Sequence, residues 1–308
     1  MTESSENIIS EKPGKKKFRP RKDEDGAKRH YGAPLIVLAV IFFLYSLTLI
    51  FPLLWLLYNS VKSRQEFFNN PWAFPQDILG NLANFGVVFT DFGLGEMLFN
   101  TIFLSVLCPL INLFCTTCVA YAYAKHTFKC RKLLYAVAMV PMLVSIAGTQ
   151  PATYKLINNL GLYDSLFGIL LMSTGGFGFN FMLISSLFIN MSDAYREAAK
   201  IDGAGNWRIF LTIYVPQASN MLVALFILSF ISTWNDYTTP FLYLPSHPTL
   251  ATGIKAIENR LTVGNDPYQN DYPKLFACMI WSVLPVLVLF VIFQNKIMKF
   301  SLGGGVKG

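Results

Sequence analysis

Long stretches of this sequence contain no Asp, Glu, Lys or Arg, and that absence excludes a water-soluble fold. Charged residues make up only 14% of the 308 positions, against 53% hydrophobic. Uncharged runs extend over Tyr31 to Val61, Met97 to Ala124, Leu133 to Tyr154, Ser165 to Ser192, Ile209 to Asn235 and Leu275 to Asn295. A hydrocarbon layer is crossed by roughly 20 apolar residues of helix, so each run is long enough to span. Barrel strands would alternate apolar with polar residues, whereas these runs are apolar on both parities and read as helices. The expectation is an all-α integral membrane protein with six transmembrane helices.

Histidine and cysteine are almost as informative by their scarcity. The only histidines, His30, His126 and His247, fall in loops or at ends, which leaves an intramembrane enzyme without a base or metal ligands at depth. The five cysteines form an odd set. Cys108, Cys115, Cys118 and Cys278 lie inside apolar runs and Cys130 lies in a loop, so no disulfide framework is implied. Cys115 and Cys118 have redox-motif spacing, but with Thr116 and Thr117 between them they read as small packing residues. Nowhere does Gly, four residues, Gly, Lys and Ser or Thr occur, so the chain is expected to bind no ATP itself. Carboxylates are missing from the centres of the runs, and no inverted repeat is visible by eye, which argues against an ion-coupled secondary transporter.

What charge there is has been sorted by loop. Residues 1–33 hold nine Lys or Arg, residues 125–132 four, residues 193–208 three and the end from Lys296 onward three. The positive-inside rule then puts both termini and the 125 and 193 loops in the cytoplasm, consistent with an even span count. This distribution accounts for the net charge of +7 without a nucleic-acid partner. The tail is read as a disordered, solvated orientation signal that could also meet anionic lipid. The first run follows a charged tail of about thirty residues and lacks a short cleavage site, so it reads as a retained anchor, not a signal peptide. Residues 34–300 are taken as the membrane domain and 301–308 as a short cytoplasmic tail. Two external loops stand out: Lys62 to Glu96, whose aromatics suit a membrane interface, and Pro245 to Lys274, with Asn265, Asp266, Asn270 and Asp271.

The stretch Asp193 to Pro216 is too polar to span and too patterned for a linker. Ser192 or Asp193 can cap a helix in which Ala194, Ala198 and Ile201 recur at helical spacing, and Asp202 with Gly203 ends it. Asn206 can cap a second helix with Trp207, Phe210, Leu211 and Tyr214 as one apolar stripe, before Pro216 opens the fifth span. Such a pair is expected either to lie in the headgroup layer or to dock into a groove on a soluble partner.

Glu197-Ala198-Ala199, three residues, Gly203, nine residues, Ile213, two residues and Pro216 resemble the EAA loop of binding-protein-dependent ABC importer permeases. The longer string EAAKIDGAGNWRIFLTIYVP is similar to the sugar-transport subfamily that includes the maltose permease G subunit. Val215 departs from the usual Leu, and Met191-Ser192 from a Pro-containing pair. Asn100-Thr101, Trp234-Asn235-Asp236-Tyr237 with Pro240, and Gly305 to Gly308 extend the likeness over most of the chain but not into residues 1–33.

The resemblance implies the type I permease fold, with a coupling helix between spans four and five, in a bacterial or archaeal cell membrane. It implies a non-catalytic subunit forming half of a translocation pathway. The implied partners are a second homologous permease (a heterodimer), two ATPase subunits that bind ATP and Mg, and an extracellular solute-binding protein. Glu197, Ala198, Ala199, Asp202 and Gly203 would then couple to the ATPase. The implied cargo is a sugar or oligosaccharide, for which an uncharged path is suitable. Asn100, Trp234, Asn235 and Tyr237 are its candidate lining, because aromatic faces pack on sugar rings and amides bond hydroxyls. An interfacial anchor is the alternative role for Trp234 and Tyr237, and a helix cap for Asn100. Phe177 and Phe181 read as packing residues, and the last external loop as a contact for the solute-binding protein. A permease for another small solute is the alternative cargo class.

Overall fold

The computed structural model describes residues 33–143, 146–175, 177–263 and 267–303. Most of the basic tail, Asn265, Asp266 and the Gly305 to Gly308 string lie outside these residues. The chain divides into two compact units, residues 1–50 and 51–308. Among the described residues all regular structure is helical. In the first unit these residues are the opening part of α1 (Ala33–Ser60), with side chains 35–50 all exposed.

In the second unit, α1 ends at Ser60 and is followed by α2 (Arg64–Asn69), α3 (Ile78–Asn81) and α4 (Ala83–Thr90). Glu66 organises this segment. Ser63 and Glu66 form a reciprocal capping box at the start of α2, and the Glu66 carboxylate also accepts from the Gln76 backbone N–H at 2.9 Å and from the Asn81 amide at 3.2 Å. The backbone N–H groups of Ser63 and Gln76 hold its pKa below the ordinary 4.5. Lys62 is 1% exposed and donates to the Pro71 carbonyl at 2.7 Å; burial pushes its ammonium pKa down.

Then come α5 (Leu94–Lys125), α6 (Arg131–Leu143), α7 (Ile146–Asn159), α8 (Leu166–Met172), α9 (Gly178–Asn190), α10 (Ala194–Ile201) and α11 (Asn206–Ile209). A π turn (Phe210–Tyr214) leads into α12 (Val215–Trp234), followed by α13 (Thr238–Tyr243), α14 (Leu250–Val263) and α15 (Tyr272–Gly303). Among the described residues, four helical stretches are long and apolar enough to cross a membrane: Leu35–Ser60, Leu94–Lys125, Asn206–Trp234 and Tyr272–Gln294.

The third and fourth uncharged runs are not straight helices. Arg131–Leu143 and Gly148–Asn159 meet at 113°, and together they would make a fifth span. Pro141 and Pro151 each remove a helical N–H, and Gly148 carries no side chain to stiffen the bend. The fourth run is divided into α8 and α9 by a stretch rich in Ser, Thr and Gly, and Gly178 opens α9 at a φ of +38°. Carbonyls freed by such a break need partners in lipid. Asn112 of α5 supplies them, donating to Ser173 O at 3.1 Å and Gly175 O at 2.7 Å, while Asn180 donates to the Asn112 carbonyl oxygen at 3.4 Å.

α5 is the central helix and packs chiefly against α9 and α12. Phe181, Ile184 and Phe188 of α9 are fully buried in a cluster with Leu113, Ala120 and Tyr121 of α5. Between helices in lipid such contacts act by close van der Waals packing and not by expulsion of water. A second cluster joins Leu94 and Met97 of α5 to Phe230 and Trp234 of α12, Ile257 of α14 and Leu275 of α15.

Candidate functional site

The short helix α10 buries none of its side chains. Glu197, Ala198, Asp202 and Gly203 are exposed, and Ala199 is half-buried toward the α5 and α9 cluster. Tyr195 and Ile201 also face outward, Ile201 at 87% exposure, and Trp207 follows on α11 at 64%. These residues therefore form a small apolar surface with two carboxylates, Glu197 and Asp202, presented by a helix pair rather than by an irregular loop.

Both ends of α10 are fixed. At its C-terminus Gly203 adopts φ +78°, donating to Lys200 O at 3.0 Å, while Ala204 donates to Ala199 O at 2.9 Å. This is the Schellman arrangement, which needs a left-handed residue and satisfies carbonyls that would otherwise be orphaned. At its N-terminus the sequence reading needs correction. Asp193 occupies the cap position but makes no cap bond; Ser192 Oγ accepts weakly from Ala194 N at 3.3 Å. The Asp193 carboxylate is instead drawn to two cations, Lys125 at 3.0 Å and Arg196 at 3.6 Å. The hydrogen bond from Lys125, with the charges of Lys125 and Arg196, holds its pKa below the usual 3.8.

The expected cap and stripe on the second helix also differ. Gly205, not Asn206, stands at the cap of α11. Pro216 has no N–H for the Thr212 carbonyl, and the Val215 N–H reaches back to Phe210 O, which widens the chain into a π turn. The turn sends Ile209, Phe210 and Tyr214 inward, 0%, 2% and 1% exposed, and leaves Trp207 and Leu211 outside. Tyr121 receives them, with ring centroids 4.9 Å from Phe210 and 5.0 Å from Tyr214.

The four candidates for a solute path lie toward the opposite end of α5 and separate into two pairs. Asn100 is 3% exposed and donates to Pro248 O at 3.0 Å; Trp234 is 5% exposed, donates to Ser282 O at 3.2 Å and stacks on Phe230. Their polar groups are spent on the chain itself. Asn235 and Tyr237 are exposed. Tyr237 stacks on Phe241 with centroids 5.1 Å apart, and the two line a groove of about 260 Å³ with Pro248, Thr252, Lys255 and Asn259. Asp236 accepts from the backbone N–H groups of Thr238 and Thr239 and so caps α13.

Residues 98–299 match the family described as the binding-protein-dependent transport system inner membrane component, and the chain belongs to that family. It is 27% identical over 257 residues to the diacetylchitobiose uptake system permease protein NgcG of Streptomyces coelicolor, covering 82% of this chain and 83% of that one. It is 25% identical over 290 residues to the arabinooligosaccharides transport system permease protein AraQ of Bacillus subtilis, covering 89% and 96%. Among solved structures, a bacterial ABC transporter involved in the import of the acidic polysaccharide alginate matches with a TM-score of 0.75 and 26% identity. That match covers 88% of this chain and 98% of the other. The chain is thus a permease of an ABC importer, an inner membrane component.

Proposed function

We propose that this permease forms half of the translocation pathway of a sugar or oligosaccharide importer and is driven through residues 193–216 by a separate ATPase. In this reading the chain has six spans, with the bent α6–α7 pair and the broken α8–α9 pair completing the four long helices. The termini and the 193–216 bracket face the cytoplasm, and α13–α14 face outward. A second, homologous permease completes the pathway. Two ATPase subunits bind ATP with Mg, and a solute-binding protein delivers cargo to the outer face, where the 245–274 loop is a contact.

The observation that carries the reading is the state of α10: an eight-residue helix with no buried side chain, held rigid at both ends by its own chain. Fixing such a helix costs entropy that nothing on its exposed side repays unless a partner covers it. Glu197 offers a charge to that partner, Ala198 permits close approach, and Asp202 with Gly203 ends the helix where the chain must turn. Closure of the ATPase subunits would then move α10 and rock the spans. Asn235 and Tyr237 are proposed as path residues, with Asn100 and Trp234 standing behind them.

A second reading, import of an acidic saccharide, has one observation in its favour: Lys255 lines the same groove as Tyr237. Uptake of radiolabelled neutral oligosaccharides into vesicles containing the reconstituted complex, with an oligouronate as competitor, separates the two. ATP-dependent accumulation of a neutral sugar, abolished by Glu197→Lys while the protein stays in the membrane, supports the main reading. Unchanged uptake by Glu197→Lys contradicts the coupling role, and selective competition by the uronate favours the acidic cargo.

A further inference from the structure

Three helix ends meet at Lys125. Its side chain is 3% exposed, and its ammonium donates both to Met191 O at 2.7 Å, just past the end of α9, and to Asp193 at 3.0 Å, at the start of α10. Arg196, one turn into α10, returns a bond in the other direction, from its guanidinium to the Lys125 carbonyl at 2.6 Å. That carbonyl is one of those a helix C-terminus leaves without an internal partner. The Tyr214 ring lies 5.4 Å from the ammonium, which brings the π turn into the same node. Two charge-assisted bonds running in opposite directions between the same two elements resist both separation and twist.

The rest of α5 is pinned as firmly. At 32 residues it is about 48 Å long. Near its middle Asn112 holds the α8–α9 break, and at its far end Asn100 and Thr101 hold Pro248 and Leu250. One continuous helix, with Pro109 inside it, therefore reaches from the exposed bracket to the α13–α14 region by non-covalent bonds, a route separate from the covalent one through the π turn into α12.

We propose that Lys125, with Asp193 and Arg196, is a positioning joint that makes α10 and α5 move as one body, so that displacement of the bracket is delivered along α5 to the opposite face. The proposal rests on the reading that α10 docks on the ATPase. None of the three residues touches solute or nucleotide; they act by fixing the angle between two helices.

The test uses the complete transporter in vesicles, with the five native cysteines replaced by alanine and spin labels at Lys200→Cys on α10 and Phe114→Cys on α5, both exposed. Pulsed EPR measures their separation in the resting complex and after trapping with ATP and orthovanadate. Helices that shift together should keep their distance to within about 2 Å, whereas an uncoupled bracket should move by about 5 Å or broaden its distribution by that amount. The expected result is an unchanged separation in the parent, a shifted or broadened one in Lys125→Met, and recovery in Lys125→Arg. A separation that changes on trapping in the parent overturns the joint, as does a Lys125→Met distribution identical to the parent's. If Lys125→Met does not assemble, Asp193→Asn, at a half-exposed position, is read by the same two criteria. Failure of the joint is distinguishable from failure of docking, because a thiol at Ala198 reports docking independently of the distance pair.

Discussion

Leu250 donates its backbone N–H to the hydroxyl of Thr101 at 2.8 Å, although 149 residues separate them. Both residues are nearly inaccessible, and the same hydroxyl donates onward to Met97 O. Thr101→Val keeps the shape but leaves the Leu250 N–H buried and unpaired, which costs about 1–3 kcal/mol. The expected outcome is a lower melting temperature for the purified protein with Val and little change with Ser.

Asn100 and Trp234 stand beside that contact, and their roles can be separated from those of a solute path. Trp234→Phe removes the hydrogen bond to Ser282 and should lower stability by about 1 kcal/mol while leaving the apparent KM for uptake unchanged. Asn100→Ala should behave in the same way. Tyr237→Ala should do the reverse, raising KM with little effect on melting, because its ring is at the surface. A KM shift with Trp234→Phe as large as that with Tyr237→Ala would refute this division.

Gly203 sits at φ +78° with open space around the position a Cβ would take. Strain alone is therefore at issue for alanine, and Gly203→Ala should cost about 1–2 kcal/mol locally. Gly203→Pro also removes the N–H that bonds Lys200 O and cannot adopt a positive φ. Uptake should fall modestly with Ala and collapse with Pro, at equal amounts of protein in the membrane.

Glu66 gives a pH signature. Its folded pKa lies below its ordinary 4.5, so at acid pH the unfolded chain binds more protons than the folded one. Its contribution to stability is therefore fully present above 4.5 and is lost as pH falls through the lower folded value. The melting-temperature difference between the parent and Glu66→Gln should be constant from neutral pH down to 4.5 and shrink below it. A difference that shrinks between pH 7 and 5 would contradict the assignment.

Composition made the membrane class legible, because uncharged runs this long have no other physical use. The bracket was legible too: helical spacing in Ala194 to Ile201 and a glycine at its end announced a capped short helix. The breaks were not. Pro141, Pro151 and the Ser173 to Gly178 stretch are of kinds that helices in lipid tolerate when a neighbour supplies hydrogen bonds; for the last of them that neighbour, Asn112, is some sixty residues away in the chain. The local pattern offers Ser192 or Asp193 as the cap; Asp193 holds that position, but its carboxylate goes to a stronger partner, Lys125, on another helix. A trace of it was available, since Lys125 is the first charge after a long apolar run and a cation there completes a helix C-terminus. Half of the apolar stripe on the second helix holds, Phe210 and Tyr214 turning inward, while Trp207 and Leu211 stay outside.

The central claim is that a motor subunit covers α10. A single thiol at Ala198→Cys, exposed in the chain alone, can be reacted with a membrane-impermeant maleimide in inverted vesicles holding the full complex, and again after the ATPase subunits have been stripped away. The expected result is protection in the complex and rapid labelling once the ATPase is removed. Equal labelling in both states would leave α10 without its partner and contradict the account.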